Sequence, residues 1–213
     1  MPISFNGTTG AVTGIVSASS SDLSTALAAK VSTSGQTGTV NLSTATVTGA
    51  GMDLINKTDF TSVSSVSINN CFSSTYTNYR IMIDAVGTTA TPTAGQIRMR
   101  SAGTDASGGF YFHSGYYSTQ AGGVTGFYAG SAAQMDIFAL ADTVSTASLD
   151  IFRPNVAAYT SITGNVVAPG SSTANFLTRH GWHYQATSYD GISFFTASGT
   201  MTGTVRIYGY RNS

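Results

Sequence analysis

Between Tyr79 and Val86 apolar and polar side chains alternate, with Tyr79, Ile81, Ile83 and Ala85 on one side and Arg80, Met82 and Asp84 on the other. Successive side chains of a strand point to opposite faces, so this period of two predicts a strand with one face turned to a core. Residues 203–210 repeat the pattern, Val205, Ile207 and Gly209 opposing Arg206, Tyr208 and Tyr210. Comparable runs predict strands at Gln96–Arg100, Gly109–Tyr117, Gln134–Leu140, Ser148–Phe152, Ala158–Val167, Gly181–Thr187 and Ile192–Ala197. Gly- and Ser-rich turns separate them, as at Ser101–Asp105 and Pro169–Ser172. Eight or nine strands over residues 53–213 predict an all-β domain, a jelly-roll-like β-sandwich long enough to bury its own core.

Residues 1–52 follow another pattern. Their only charged residues are Asp22 and Lys30, and no aromatic follows Phe5. A segment so poor in large apolar groups does not offset its ordering entropy alone. One short helix is predicted near 21–30, capped by Ser20 or Ser21, with Asp22 in the first turn and Lys30 in the last. Its apolar seam is narrow, and a helix of about two turns is marginal in water without partners. An extended, trimerising stalk follows as the expectation, with Leu23, Leu27 and Val31 as the contacts between copies.

Composition strengthens both readings. Charged residues make up 8% of the chain, against roughly 25% in an ordinary soluble protein. Glutamate is absent, while Ser, Thr, Val, Tyr and Phe abound, the materials of half-buried sheet. The formal net charge is zero, which suits a permanent assembly better than a free domain kept soluble by charge; a low-charge secreted monomer is the plainer alternative. The single cysteine, Cys71, excludes an internal disulfide framework, and its neighbours predict a buried, inert thiol. No run approaches the ~20 apolar residues of a membrane-spanning helix, and the start lacks the basic and apolar regions of a signal peptide.

Without glutamate, H-E-x-x-H zinc sites and Glu-based acid–base pairs are excluded. Asp136, Asp142 and Asp150 are the carboxylates left for glycoside hydrolysis, but their spacing singles out no pair. In His180-Gly181-Trp182-His183-Tyr184 the two histidines fall on opposite strand faces, against a shared metal, while Trp182 and Tyr184 share one, as a core or subunit contact would. The run Phe110-Tyr111-Phe112-His113-Ser114-Gly115-Tyr116-Tyr117, with Tyr128 beyond it, has the tyrosine-rich make-up of adaptable recognition surfaces, including sugar stacking. Tyr111, His113, Tyr116, Tyr117 and Tyr128 are therefore the candidate receptor-binding residues; core and subunit packing is the competing use. Nine basic residues, scattered along the chain, do not form a phosphate-tracking groove, so no nucleic acid is expected. No cofactor, metal or catalytic residue is expected either.

Two stretches carry a family resemblance: Ile68-Asn69-Asn70-Cys71-Phe72-Ser73-Ser74-Thr75-Tyr76-Thr77-Asn78-Tyr79-Arg80-Ile81-Met82-Ile83 and Gly203-Thr204-Val205-Arg206-Ile207-Tyr208-Gly209-Tyr210-Arg211. They resemble the C-terminal β-sandwich domains of tailed-phage fibre and appendage proteins, especially of viruses infecting aquatic bacteria such as cyanobacteria. The stretch from Leu23 to Lys30 is similar to short elements of phage fibre stalks. The resemblance implies a homotrimer in the virion, on tail, neck or capsid surface, whose N-terminal segment binds other virion proteins. Its sandwich would point outward, where host-surface polysaccharide or another receptor is the expected contact, or pack on a neighbour. A capsid decoration protein and a glycan depolymerase are the rival functions.

Overall fold

The computed structural model describes residues 51–212, together with the backbone of Ser4–Phe5 and Val12–Thr13. The predicted helix near 21–30 and the contacts Leu23, Leu27 and Val31 lie outside the described residues. Contacts divide the chain into two units, Met1–Val47 and Thr48–Ser213. In the first, β1 (Ser4–Phe5) and β2 (Val12–Thr13) form an antiparallel pair.

The second unit is all-β. Its strands are β3 (Met52–Val63), β4 (Ser65–Ile68), β5 (Asn78–Val86), β6 (Thr93–Ser101), β7 (Thr104–Asp105), β8 (Tyr111–Thr119) and β9 (Val124–Ala132). There follow β10 (Met135–Leu140), β11 (Ser145–Phe152), β12 (Thr160–Pro169), β13 (Ala174–His183), β14 (Gly191–Thr196) and β15 (Met201–Tyr210). Eight form one sheet, curled into a half-barrel, in the order β3-β15-β5-β11-β12-β13-β8-β9. The smaller sheet runs β10-β6-β14-β4, with β7 paired to β6. The result is sandwich-like, with the strands divided unequally between its two sheets.

The alternation along β5 sets its orientation: Tyr79, Ile81, Ile83 and Ala85 are buried, and Arg80, Met82 and Asp84 face outward. β11 and β12 add Leu149, Ile151, Ile162 and Val166 to the same inner face. Ile97, Met99, Met135, Ile137, Phe138, Ile192 and Phe194 meet them from the smaller sheet. Each fully buried side chain of this size contributes about 1.5–3 kcal/mol relative to exposure. A register shift between Asp136 and Phe138 lets β10 bury Ile137 and Phe138 in succession, which strict alternation forbids. Gly181 on β13 admits the opposing sheet: a Cβ there would lie 2.7 Å from the Met135 sulfur.

Three polar struts brace the sandwich, the first of them joining its two sheets. The Tyr111 hydroxyl on β8 accepts from the Met99 amide at 2.8 Å and donates to the Ala106 carbonyl at 2.8 Å. Arg100 of β6, nearly buried, donates to Asn69 at 2.9 Å, Ser67 at 3.0 Å and Ser193 at 2.8 Å, and to Asp105 and the Gly103 carbonyl. His183 Nε2 lies 2.6 Å from the Tyr189 hydroxyl, deep in the core. Cys71 is buried as expected, and burial pushes its thiol up to about 12.

The strand expected at Gly181–Thr187 instead occupies Ala174–His183. Its inward positions include Arg179, Gly181 and His183 beside Leu177, so no apolar alternation marks them. β3 and β9, which the sequence pattern did not predict, are the two edges of the large sheet. Edge strands bury little on either face. The pairing of β3 also shifts register twice, which erases a period of two.

Candidate functional site

The outer face of the large sheet is divided by chemistry. On β3, β15, β5 and β11 it carries a ladder of ion pairs: Lys57–Asp59 at 2.7 Å, Arg206–Asp84 at 2.8 Å and Arg80–Asp150 at 2.8 Å. Arg80 grips Asp150 through two nitrogens, Nε and Nη2, and Tyr210 donates to the same carboxylate at 2.6 Å. Burial raises the Asp150 pKa, but Arg80 and Tyr210 hold the carboxyl below its ordinary value on balance.

The other half, on β12, β13, β8 and β9, is free of Asp, Glu and Lys. Its one arginine, Arg179, points inward. Strand register places the outward residues in four rows. Val167, Phe176, Ser118 and Val124 form the first, and Asn165, Thr178, Tyr116 and Gly126 the second. Thr163, His180, Ser114 and Tyr128 form the third, and Ser161, Trp182 and Phe112 the fourth. Four strands and four rows span about 14 by 20 Å at ordinary sheet spacings. Large rings and small hydroxyl or amide groups thus alternate over an uncharged surface.

The rings are fixed by their neighbours. Phe112 and Trp182, directly opposite across β8 and β13, stack with centroids 5.3 Å apart and planes 7° from parallel. Tyr184 packs on Phe112 at 5.2 Å, and Tyr159 packs edge-on against Tyr184 at 6.4 Å. The Phe112 ring also lies over Gly130 of the edge strand, where a Cβ would come within 2.9 Å of it. Tyr116 leans over Gly126 in the same manner, at 3.6 Å. Aromatic rings laid across neighbouring glycines cover bare backbone and hold the rings flat on the sheet. Tyr116, Tyr128 and Trp182 remain 64%, 71% and 46% exposed, far more than aromatic residues need for packing alone.

This geometry separates the five candidate recognition residues. Tyr116 and Tyr128 face outward and flank a shallow groove with Ser114 and Gly126. Tyr117 faces the space between the sheets and lines a cleft there. Tyr111 and His113, expected at the recognition surface, are instead buried, because their parity on β8 is the inward one. Tyr111 is the strut described above. His113 Nε2 lies 3.8 Å from Asp136, whose carboxylate accepts from Gln96 at 2.7 Å. Burial raises the Asp136 pKa, and His113, Gln96 and the positive charge of Arg179 more than offset it.

His180 and His183 do point to opposite faces, outward and inward respectively. Trp182, read as a core or subunit contact, is an outward ring on the uncharged half of the sheet. Asp136, Asp142 and Asp150 each have their own donors, Gln96, Ser171 and Arg80 respectively. Among the described residues no three His, Cys or Asp side chains stand close enough to share a metal ion. Phe112 and Phe176 were missed as surface residues, although parity with Tyr116 and Trp182 marks them. Comparison with known proteins adds no relative: no family model matches the sequence, and no curated protein or solved structure matches it.

Proposed function

We propose that this chain is a homotrimeric subunit of a fibre or surface appendage of a bacterial virus. Its N-terminal segment attaches to other virion proteins, and the uncharged half of its large sheet meets the polysaccharide of the host surface. The observation that carries the adhesive part is the division of one sheet face into an ion-paired half and an aromatic–hydroxyl half. An ordinary soluble surface intersperses charges of both signs, and a contiguous face without them marks an interaction site. Flat rings supply apolar area to the C–H faces of sugars, and Ser114, Ser161, Thr163, Asn165 and Thr178 supply neutral hydrogen-bonding groups between them. The viral and trimeric parts rest on the resemblance of residues 68–83 and 203–211 and on the composition of residues 1–52.

The test is a combined Tyr116→Ala, Tyr128→Ala, Trp182→Ala variant assembled into particles. All three side chains point away from the core, so the unfolding temperature and trimeric mass should be kept while adsorption to the host is lost. Undiminished adsorption would refute the site, and a solution mass of one chain would refute the trimer.

The edge strand β9 favours a second reading, a decoration protein clamping neighbouring capsid subunits. Its nine residues carry no charge and no proline, whereas β3, at the opposite edge, carries Asp53, Lys57 and Asp59. Exposed edges are ordinarily protected by such residues, so β9 suits pairing with another chain. Under this reading, particles lacking the protein adsorb normally but lose stability.

A further inference from the structure

The sandwich contains two buried arginines, and their surroundings differ. Arg100 is saturated by Asn69, Ser67, Ser193, Asp105 and the Gly103 carbonyl. Arg179, on β13, is only 8% exposed and, among the described residues, makes neither a hydrogen bond nor an ion pair. Its one close partner is the Phe127 ring, 3.6 Å from the guanidinium carbon. Nε is sealed from solvent without an acceptor. Asp136 lies near enough to act through space, but it is already occupied by Gln96 and faces His113. Burial lowers the Arg179 pKa to about 10, so the side chain stays cationic at neutral pH.

A buried N–H without an acceptor is costly, and native proteins rarely leave one uncompensated. Arg179 lines a cleft of about 400 Å³ between the sheets, within the usual size range of small-ligand sites. The other walls include Thr93, Tyr117, Thr119, Thr173 and Asn175, with Leu177 and Ala139 as apolar floor. The cleft therefore pairs one guanidinium fork, suited to a carboxylate, with a ring of neutral hydroxyl and amide groups.

We infer that this cleft binds an acidic sugar unit, its carboxylate on Arg179 and its hydroxyl groups on the threonine, tyrosine and asparagine side chains. The site is distinct from the uncharged outer face, and its failure would leave the reading of that face untouched.

The experiment is calorimetric titration of the full chain with sodium glucuronate, glucose and sodium acetate, repeated on Arg179→Met and Asn175→Leu. Glucuronate should bind at one site per chain, with acetate at least tenfold weaker and glucose undetected. Arg179→Met should weaken glucuronate at least tenfold while unfolding at the same temperature or higher, because it removes an unpaired buried charge. Asn175→Leu leaves the guanidinium in place and should weaken glucuronate but not acetate. Equal affinities for acetate and glucuronate would overturn the sugar assignment. No binding to the unaltered chain, or unchanged binding by Arg179→Met, would overturn the site.

Discussion

Acidification from pH 6.5 to 4.5 should destabilise the fold chiefly through His183. The imidazole has no solvent exposure. It sits against Tyr111, with centroids 4.2 Å apart, and Tyr189, at 5.2 Å. Nε2 meets the Tyr189 hydroxyl, which donates onward to Gln185 at 3.3 Å, and Nδ1 has no partner. The neutral ring is therefore the form that fits. Burial lowers its pKa from 6.5 to about 4, against a small opposing effect of Gln185. The folded value lies below the unfolded one, so the unfolded chain binds more protons between pH 6.5 and 4. Stability is complete above pH 6.5 and falls as the pH drops towards 4, by on the order of 3 kcal/mol. Asp136 and Asp150, whose pKa values are lowered from 3.8, shed most of their contribution below that value, so the upper part of the His183 window is free of them. Urea unfolding at half-unit intervals from pH 7 to 4 measures the slope. His183→Phe keeps a ring against Tyr111 but cannot titrate, and its stability should be nearly flat over that window. A flat profile in the unaltered protein, or the same slope in His183→Phe, would refute the assignment.

Two further changes test the fold itself. Ala102 and Gly103, in the β6–β7 hairpin, have φ of 48° and 77°, and the left-handed conformation is unfavourable for alanine by about 1–2 kcal/mol. Ala102→Asn, which tolerates it, should stabilise the domain by about 0.5–1 kcal/mol in chemical unfolding; no gain would show that the turn relaxes. Gly181→Ala should act oppositely, costing about 1–3 kcal/mol, because its Cβ would meet the Met135 sulfur and the Phe112 carbonyl, both at 2.7 Å. An unchanged unfolding midpoint would mean that Met135 yields without loss of packing.

The strands easiest to read in the sequence were those with one face in the core and one in water. β5 and β15 lie side by side within the large sheet, and alternation fixed both their positions and their inward residues. β9 has little buried surface to impose a pattern, and β3 is broken by register shifts. The candidate recognition residues show the limit of composition as a guide. Tyr111, His113, Tyr116 and Tyr117 are close in sequence and chemically alike, yet β8 sends the first two inward and Tyr116 outward. Parity alone separates them, and it also groups Phe112 with Tyr116 rather than with its neighbour Tyr111. Arg179 was hidden for a different reason: its strand was placed a few residues too late, so its inward parity with Leu177 and His183 was not visible.

The scarcity of charge also has a different meaning in three dimensions. It is not a uniform thinning, because the outer face of β3, β15, β5 and β11 has a full set of paired charges. One surface thus uses ion pairs where it meets water and withholds them where the rings lie. Exposed pairs such as Lys57–Asp59 contribute little to stability, so the ladder is a weak explanation of why the fold stands. Its stronger consequence is negative: charges opposite a neutral partner must be desolvated without compensation, which disfavours docking on that half. The rings on β8 and β13 face no such penalty. A neutral partner would thereby be directed to one end of a single continuous sheet, although both ends share the same backbone and the same core.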